Sequence, residues 1–161
     1  MKQNYPRARS FPGPGFSAGP CLFKDTMQLA AYARNQFGLG HAATQVNEGL
    51  VLQLVDDLRR GYEISSMTVG LLGMAFKAEI DDTRASLSYK LKHALEICAR
   101  GVLTTDPFVT TDPNILPFDH VVDHSDLLIL CAPHSVYAEA DLRGKPVVDI
   151  WGFLKNANVV Y

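Results

Sequence analysis

Cys21 follows a run of pliable backbone, Gly13-Pro-Gly15-Phe16-Ser-Ala-Gly19-Pro20, and is followed at once by Leu-Phe-Lys24-Asp25. That order of residue types suits a reactive thiol. Gly13, Gly15 and Gly19 can take φ > 0 and let the backbone approach a ligand without Cβ interference. Cys21 is predicted at or near the first turn of a helix beginning around Asp25, where helix-dipole charge and the Lys24 ammonium favour the thiolate. Asp25, four residues on, shares a helix face with Cys21 and suits a base or a water-positioning group. The competing reading is a buried, inert cysteine behind a loop, with Asp25 merely an acid in a first helical turn. The flanking glycines and Lys24-Asp25 favour chemistry.

A second group follows the first predicted strand: Phe76-Lys77, then Asp81-Asp82-Thr83-Arg84. A lysine just beyond a strand and an arginine opening the next helix, beside helix N-terminal amides, make a phosphate cradle. A solvated lysine and an Asp/Thr cap pairing with a surface arginine explain the same residues. A dinucleotide fingerprint needs G-x-G-x-x-G between a strand and a helix. Gly13-x-Gly15-x-x-x-Gly19 lacks the spacing and the strand, and Gly70-Leu-Leu-Gly73 carries only part of the pattern, so no full NAD site is expected within these residues. His120 and His124 flank Val121-Val122, predicted as a short strand, which denies them one helical face; with His134 isolated, no metal is assigned.

Two kinds of element must position these groups. A helix is expected over about 25–37, ended by Gly38-Leu-Gly40, and a longer one over 41–60. In the longer helix Val46, Leu50, Leu54 and Leu58 recur every four residues, widened by Val51, Leu52 and Val55. Such a stripe needs more partner surface than one short neighbour supplies, and a homodimer through 41–60 or packing on another domain would provide it. Beyond Gly61 the pattern becomes an α/β alternation: strands at 67–73, 102–105, 126–132 and 146–151, and a helix over 83–100. Near-continuous apolar strands between helices imply a parallel, Rossmann-like sheet covered on both faces. Ligands bind such sheets at the strands' carboxyl ends, here Gly73 to Lys77, Asp106-Pro107, Ala132-Pro133-His134 and Trp151-Gly152. The organisation expected is a cysteine loop with a central helical segment over 1–62 and an α/β domain over 63–161.

Composition sets the outer bounds. The 161 residues carry a formal charge of −2 and no basic tract, which argues against nucleic acid or a membrane surface as partner. Cys21, Cys98 and Cys131 are scattered, with no CxxC pair, so a reducing cytoplasm is expected. There is no apolar run of about 18 residues that would span a bilayer.

Taken together, Pro12 to Asp25, Gly70-Leu-Leu-Gly-Met-Ala-Phe-Lys77 with Asp82-Thr-Arg84-x-Ser86, and Asp106-Pro107 resemble the UDP-glucose/GDP-mannose dehydrogenase family over nearly the whole chain. The likeness is to the second half of such an enzyme, and the family's NAD-binding domain has no counterpart in these residues. The resemblance implies NAD-dependent oxidation of a nucleotide sugar's C6 alcohol to a carboxylate through a cysteine thiohemiacetal and thioester, a reaction the lone chain should not complete. It implies Cys21 as nucleophile with Lys24 and Asp25 accompanying it, and the Gly13, Gly15, Phe16 and Gly19 loop admitting the sugar. Phe76 and Lys77 match the pair contacting the nucleotide sugar. Arg84 matches an arginine reaching the NAD, and Arg7 one entering the partner subunit's sugar site. Where many members carry an arginine after the last-strand aspartate, this chain has Asp149-Ile-Trp151. A non-catalytic nucleotide-sugar-binding or assembly module on the same fold is the alternative.

Overall fold

A computed structural model describes residues 6–8, 11, 13–155 and 158–159. Pro12, the first residue of the cysteine-loop motif, lies outside them. Helix α1 spans Pro20–Tyr32 and α2 Gly38–Gly61. The α/β region follows as β1 (Thr68–Leu72), α3 (Leu87–Glu96), β2 (Gly101–Thr105), α4 (Phe118–His124), β3 (Leu127–Leu130), β4 (Pro146–Asp149) and β5 (Asn158–Val159).

All five strands are parallel, in the order β2-β1-β3-β4-β5. Leu72 at the end of β1 stands level with Thr105 on one side and Leu130 on the other. The chain leaves β1 towards β2 and then returns to place β3 on the opposite side, so the topological switch lies at the carboxyl ends of β1 and β3. Gly73 sits there with φ 92, and a Cβ on it would lie 2.8 Å from the Ala132 backbone nitrogen. Glycine is therefore required for the two strand ends to converge.

Both faces of the sheet are covered. On one, Val51, Leu54, Val55 and Leu58 of α2 and Leu91 and Leu95 of α3 share a core with Val69, Leu71 and Phe16. On the other, Val121 and Val122 of α4 pack with Leu72, Leu128 and Leu130. Gly70 lets α4 lie close on β1, since a Cβ would come 2.9 Å from Val121 Cγ1. Each fully buried leucine contributes about 1.5–3 kcal/mol of apolar transfer.

Several boundaries differ from expectation. Val121-Val122 is not a strand but the inner face of α4, where burial of both valines outweighs their β propensity. His120 and His124 consequently do share a helical face, their rings stacked 4.2 Å apart. Helix α1 begins at Pro20 rather than near Asp25, because proline suits the first helical position. It stops at Tyr32 because Arg34 and Asn35 turn left-handed at φ 52 and 59. Helix α3 is shorter than 83–100: Ala85 at φ 54 cannot be helical, and the Ser86 hydroxyl caps the Ser88 amide. The α2 stripe splits in two. Val51, Leu54, Val55 and Leu58 turn inward, while Val46 and Leu52 stay exposed.

Candidate functional site

The cysteine loop is pinned at four successive places. Gly15, at φ 126, lies against the Trp151 indole, where any Cβ would overlap the ring. Phe16 is 8% exposed and anchors in the core beside α2, so it holds the loop, and it also lines the cleft walled by Trp151. The Ser17 amide donates to Asn47 Oδ1 at 3.1 Å, and Asn47 Nδ2 donates back to the Ser17 carbonyl at 2.6 Å. Gly19, at φ 111, sits on the Phe76 ring, whose Cε2 would be 2.8 Å from a Cβ. Gly13 is exposed and touches nothing within 4 Å of its would-be Cβ. Pinned this way, the chain enters α1 with Cys21 in the first turn and exposed.

The residues after β1 face this turn. Arg84 donates from Nε and Nη2 to both Asp82 oxygens, at 3.0 and 2.6 Å among others. The hydrogen bond to Asp82 and that carboxylate's charge raise the Arg84 pKa, and the Cys21 sulfur adds to the effect through space. Ala85, next to Arg84, lines one cleft with Gly19 and Leu22, which flank Pro20 and Cys21. The Arg84 hydrogen bonds in turn hold the Asp82 carboxyl down at about 2, helped by the charges of Arg84 and Lys77. Lys77 Nζ stands 5.6 Å from the Phe76 ring centroid. Gly19, Cys21, Phe76, Lys77 and Arg84, whose ends are 65 positions apart in sequence, thus gather around the Gly19–Phe76 contact.

Other expected site residues lie apart. Lys24 Nζ pairs with Asp25 Oδ1 at 3.3 Å, both well exposed, on the α1 turn beyond Cys21. Arg7 is exposed in a short 3-10 turn, Pro6–Ala8. Trp151, where the resemblance implies an arginine, donates from Nε1 to the Cys131 carbonyl at 3.1 Å and walls a cleft of about 390 Å³ with Pro14, Pro133 and Phe153. A second cleft of about 450 Å³ runs from Gly19 and Ala85 between α1 and α2.

Two positioning groups carry no local sequence mark of what they do. Asn47 is one. The other is Asp106, at the end of β2, whose Oδ2 accepts from the Met74 and Ala75 amides and from His134 Nε2, and whose Oδ1 accepts from the Phe108 and Val109 amides. Burial works to raise its carboxyl, but the bonds from His134 and the backbone amides win and hold it well below the ordinary carboxylate range. Both Asp106 and His134 stand at strand carboxyl ends, the signal by which the sequence marks their place but not their pairing.

Asp106 also decides a cofactor question. In a dinucleotide site the amides of the first strand-to-helix turn cradle the pyrophosphate. Here the Gly73 amide donates to the Thr105 carbonyl, those of Met74 and Ala75 to Asp106, and α3 begins only at Leu87 behind its Ser86 cap. An NAD pyrophosphate does not fit this turn. Among the described residues no group of three or more His, Cys, Asp or Glu is placed to hold a metal, and no helix is long and apolar enough to cross a membrane.

Comparison with known proteins agrees with this geometry. Residues 70–156 match the UDP-binding domain of the UDP-glucose/GDP-mannose dehydrogenase family. The UDP-glucose 6-dehydrogenase of Haloferax volcanii is 36% identical over 157 residues, covering 87% of this chain and 36% of its own length. The UDP-N-acetyl-D-mannosamine dehydrogenase of Pyrococcus horikoshii is 26% identical over 174 residues, 99% of this chain and 40% of the relative. The solved GDP-mannose dehydrogenase of Pseudomonas aeruginosa superposes with a TM-score of 0.75 at 25% identity, over 98% of this chain and 41% of that one. The chain thus spans about two fifths or less of these proteins. With a five-stranded parallel sheet of the matching topology and a family match over most of the α/β region, the chain belongs to the UDP-glucose/GDP-mannose dehydrogenase family.

Proposed function

We propose that these residues supply the catalytic cysteine and the sugar-nucleotide site of an NAD-dependent nucleotide-sugar 6-dehydrogenase, which oxidises the C6 alcohol of a UDP- or GDP-sugar to a carboxylate. The observation that carries the reading is that Cys21, in the first turn of α1, follows Gly19 on the Phe76 ring, beside a cleft that Ala85, the neighbour of Arg84, also lines. A nucleophile, a cation and a glycine opening meet where an open α/β sheet binds ligands.

In this reading Cys21 Sγ bonds to the C6 aldehyde carbon, and the carbonyl oxygen takes up the proton as the thiohemiacetal forms. Once that adduct is oxidised to a thioester, water adds to the carbonyl, the C–S bond breaks, and the thiol and the carboxylate are released. Asp25, four residues along the helix from Cys21, is proposed to orient that water, with Lys24 balancing its charge. Phe76 and Lys77 hold the nucleotide sugar, the glycines at 13, 15 and 19 admit it, and Arg7 reaches the site of a partner copy. NAD, which does not fit the β1 turn, is assigned to protein outside this sheet, with Arg84 as this chain's contact to it. The outer face of α2, with Val46 and Leu52 exposed, is proposed to pair with a second copy of the chain. The division at about residue 62 and a cytoplasmic setting belong to the same proposal. The pairing of Lys24 with Asp25, both exposed to solvent, is the one observation favouring a non-catalytic binding module instead.

Calorimetric titration with UDP-glucose, UDP-N-acetyl sugars and GDP-mannose tests the site. One class is expected to bind, and about tenfold more weakly in Lys77→Ala, since a charge-assisted phosphate contact contributes roughly 1.5–3 kcal/mol. Failure of every nucleotide sugar to bind would remove the proposal.

A further inference from the structure

The segment that carries Phe76 and Lys77 is a lobe. Its neck is closed by the Phe76 amide donating to the Asp82 carbonyl at 3.0 Å. Its apex, Glu79, has φ 61, a backbone state that a non-glycine residue holds only when its surroundings impose it. Two bonds impose it here. The Glu79 amide donates to His134 Nδ1 at 3.0 Å, and Glu79 Oε1 accepts from the Ser135 amide at 2.6 Å.

His134 is wholly buried. Because Nδ1 accepts from Glu79, the ring hydrogen is on Nε2, which donates to Asp106 Oδ2 at 3.1 Å. The ring is held between Phe108, at 5.0 Å, and the edge of Tyr137, at 5.7 Å. Asp106 itself grips Met74 and Ala75, the two residues just before Phe76. One imidazole thus connects the end of β2, the end of β3 and the apex of the lobe, across 55 positions from Glu79.

We propose that His134 is a positioning residue for the sugar-nucleotide site: it tethers the lobe through Glu79 and so fixes where Phe76 and Lys77 present themselves. The role in ligand binding rests on the functional reading above; the tether itself does not.

Amide variants of His134 divide its two bonds. In His134→Asn the side-chain oxygen stands near the place of Nδ1 and still accepts from the Glu79 amide, but its nitrogen falls short of Asp106. In His134→Gln the longer amide reaches Asp106 and leaves the Glu79 amide without its acceptor. The full chain is followed by hydrogen exchange with mass spectrometry, and by titration with the nucleotide sugar that binds the wild type. Exchange over 76–82 is expected to speed up about tenfold or more in His134→Gln, with affinity falling about tenfold, while His134→Asn keeps both within about threefold, the loss of one net hydrogen bond setting the scale. Glu79→Ala, a change at an exposed side chain, removes the second tether and is expected to loosen the same segment even if a His134 variant does not fold. Equal exchange of 76–82 in wild type, His134→Gln and Glu79→Ala would overturn the tether. Loosening of the lobe with unchanged affinity would overturn the positioning role. A wild-type chain that binds no nucleotide sugar would sink the functional reading and the positioning role built on it, while the exchange data still decide the tether.

Discussion

Helix α1 and the strands of the sheet are both rich in large apolar residues, yet they treat them oppositely. In α1, Leu22 and Phe23 are 55% exposed, Tyr32 is 88% exposed and only Ala30 is buried, whereas Leu127, Leu128, Ile129 and Leu130 of β3 are wholly enclosed. The sheet is complete in itself: every strand from β1 to β4 has a partner and both faces are covered. The cysteine region leans on it by a few fixed points, Phe16, Asn47, Gly15 on Trp151 and Gly19 on Phe76. A closed platform is thus joined to an exposed cysteine turn held by contacts that are few and specific. Such an arrangement keeps Cys21 accessible and leaves Leu22, Phe23 and Tyr32 as exposed apolar surface.

The largest expected difference is in thiol accessibility. Cys21 is exposed, while Cys131 is buried and its thiol is pushed well up by desolvation. With a thiol-specific disulfide reagent, Cys21 is expected to react first and Cys98, half-buried, next. Cys131 should be slower than Cys21 by a factor on the order of 10³ or more, because exposing it requires opening that approaches global unfolding, roughly 5–15 kcal/mol. Comparable rates at Cys21 and Cys131 would mean the platform is not rigid and would break the contrast.

Core deletions sharpen the same contrast energetically. Leu128→Ala, in a strand closed on both faces, is expected to cost about 2–5 kcal/mol in denaturant unfolding, the range for a buried leucine replaced without collapse of the cavity. Leu22→Ala, on the open face of α1, is expected to cost less than about 0.5 kcal/mol. Equal losses would show that α1 is already packed in solution, and concentration dependence of the Leu22→Ala value would show what packs it.

How far the sequence foretells this arrangement follows from the range of the interactions. The strands are legible because each is a short apolar run that only a two-faced sheet can bury, and Gly15 and Gly19 are legible because glycine alone combines a positive φ with a close approach, whereas Gly13 meets nothing. The run Phe118–His124 is not, since two adjacent valines carry the same local mark whether the segment is an edge strand or a single packed turn of helix. Asn47 is hidden among polar residues of α2, and its pairing with Ser17 depends on a loop 30 residues away. Asp106 and His134 are visible as strand ends, but their meeting depends on β1 lying between β2 and β3, a fact of topology rather than of spacing. Trp151 could be read as a departure from a family pattern. Its use as a wall against Gly15 could not.

The smallest effect expected separates the two acids near the Phe76 lobe. Asp106 is enclosed with five hydrogen bonds, whereas Asp82 is half-buried with the exposed Arg84 as its principal partner. Asp82 ionises at about 2 in the folded chain against an ordinary value of 3.8. A carboxyl depressed by folding stabilises the native state when ionised, so its contribution is fully present above 3.8 and is lost as the pH falls through about 2. Because the Arg84 side of the pair is exposed and screened by water and salt, Asp82→Asn should move the neutral melting temperature little, and whatever difference it makes should shrink towards acid and in high salt. Thermal scans of wild type and Asp82→Asn from neutrality into acid, at two ionic strengths, check this. A difference that grows on acidification, or ignores salt, would mean that the pair is further covered by a contact in solution and that the cysteine turn is less open than its geometry indicates.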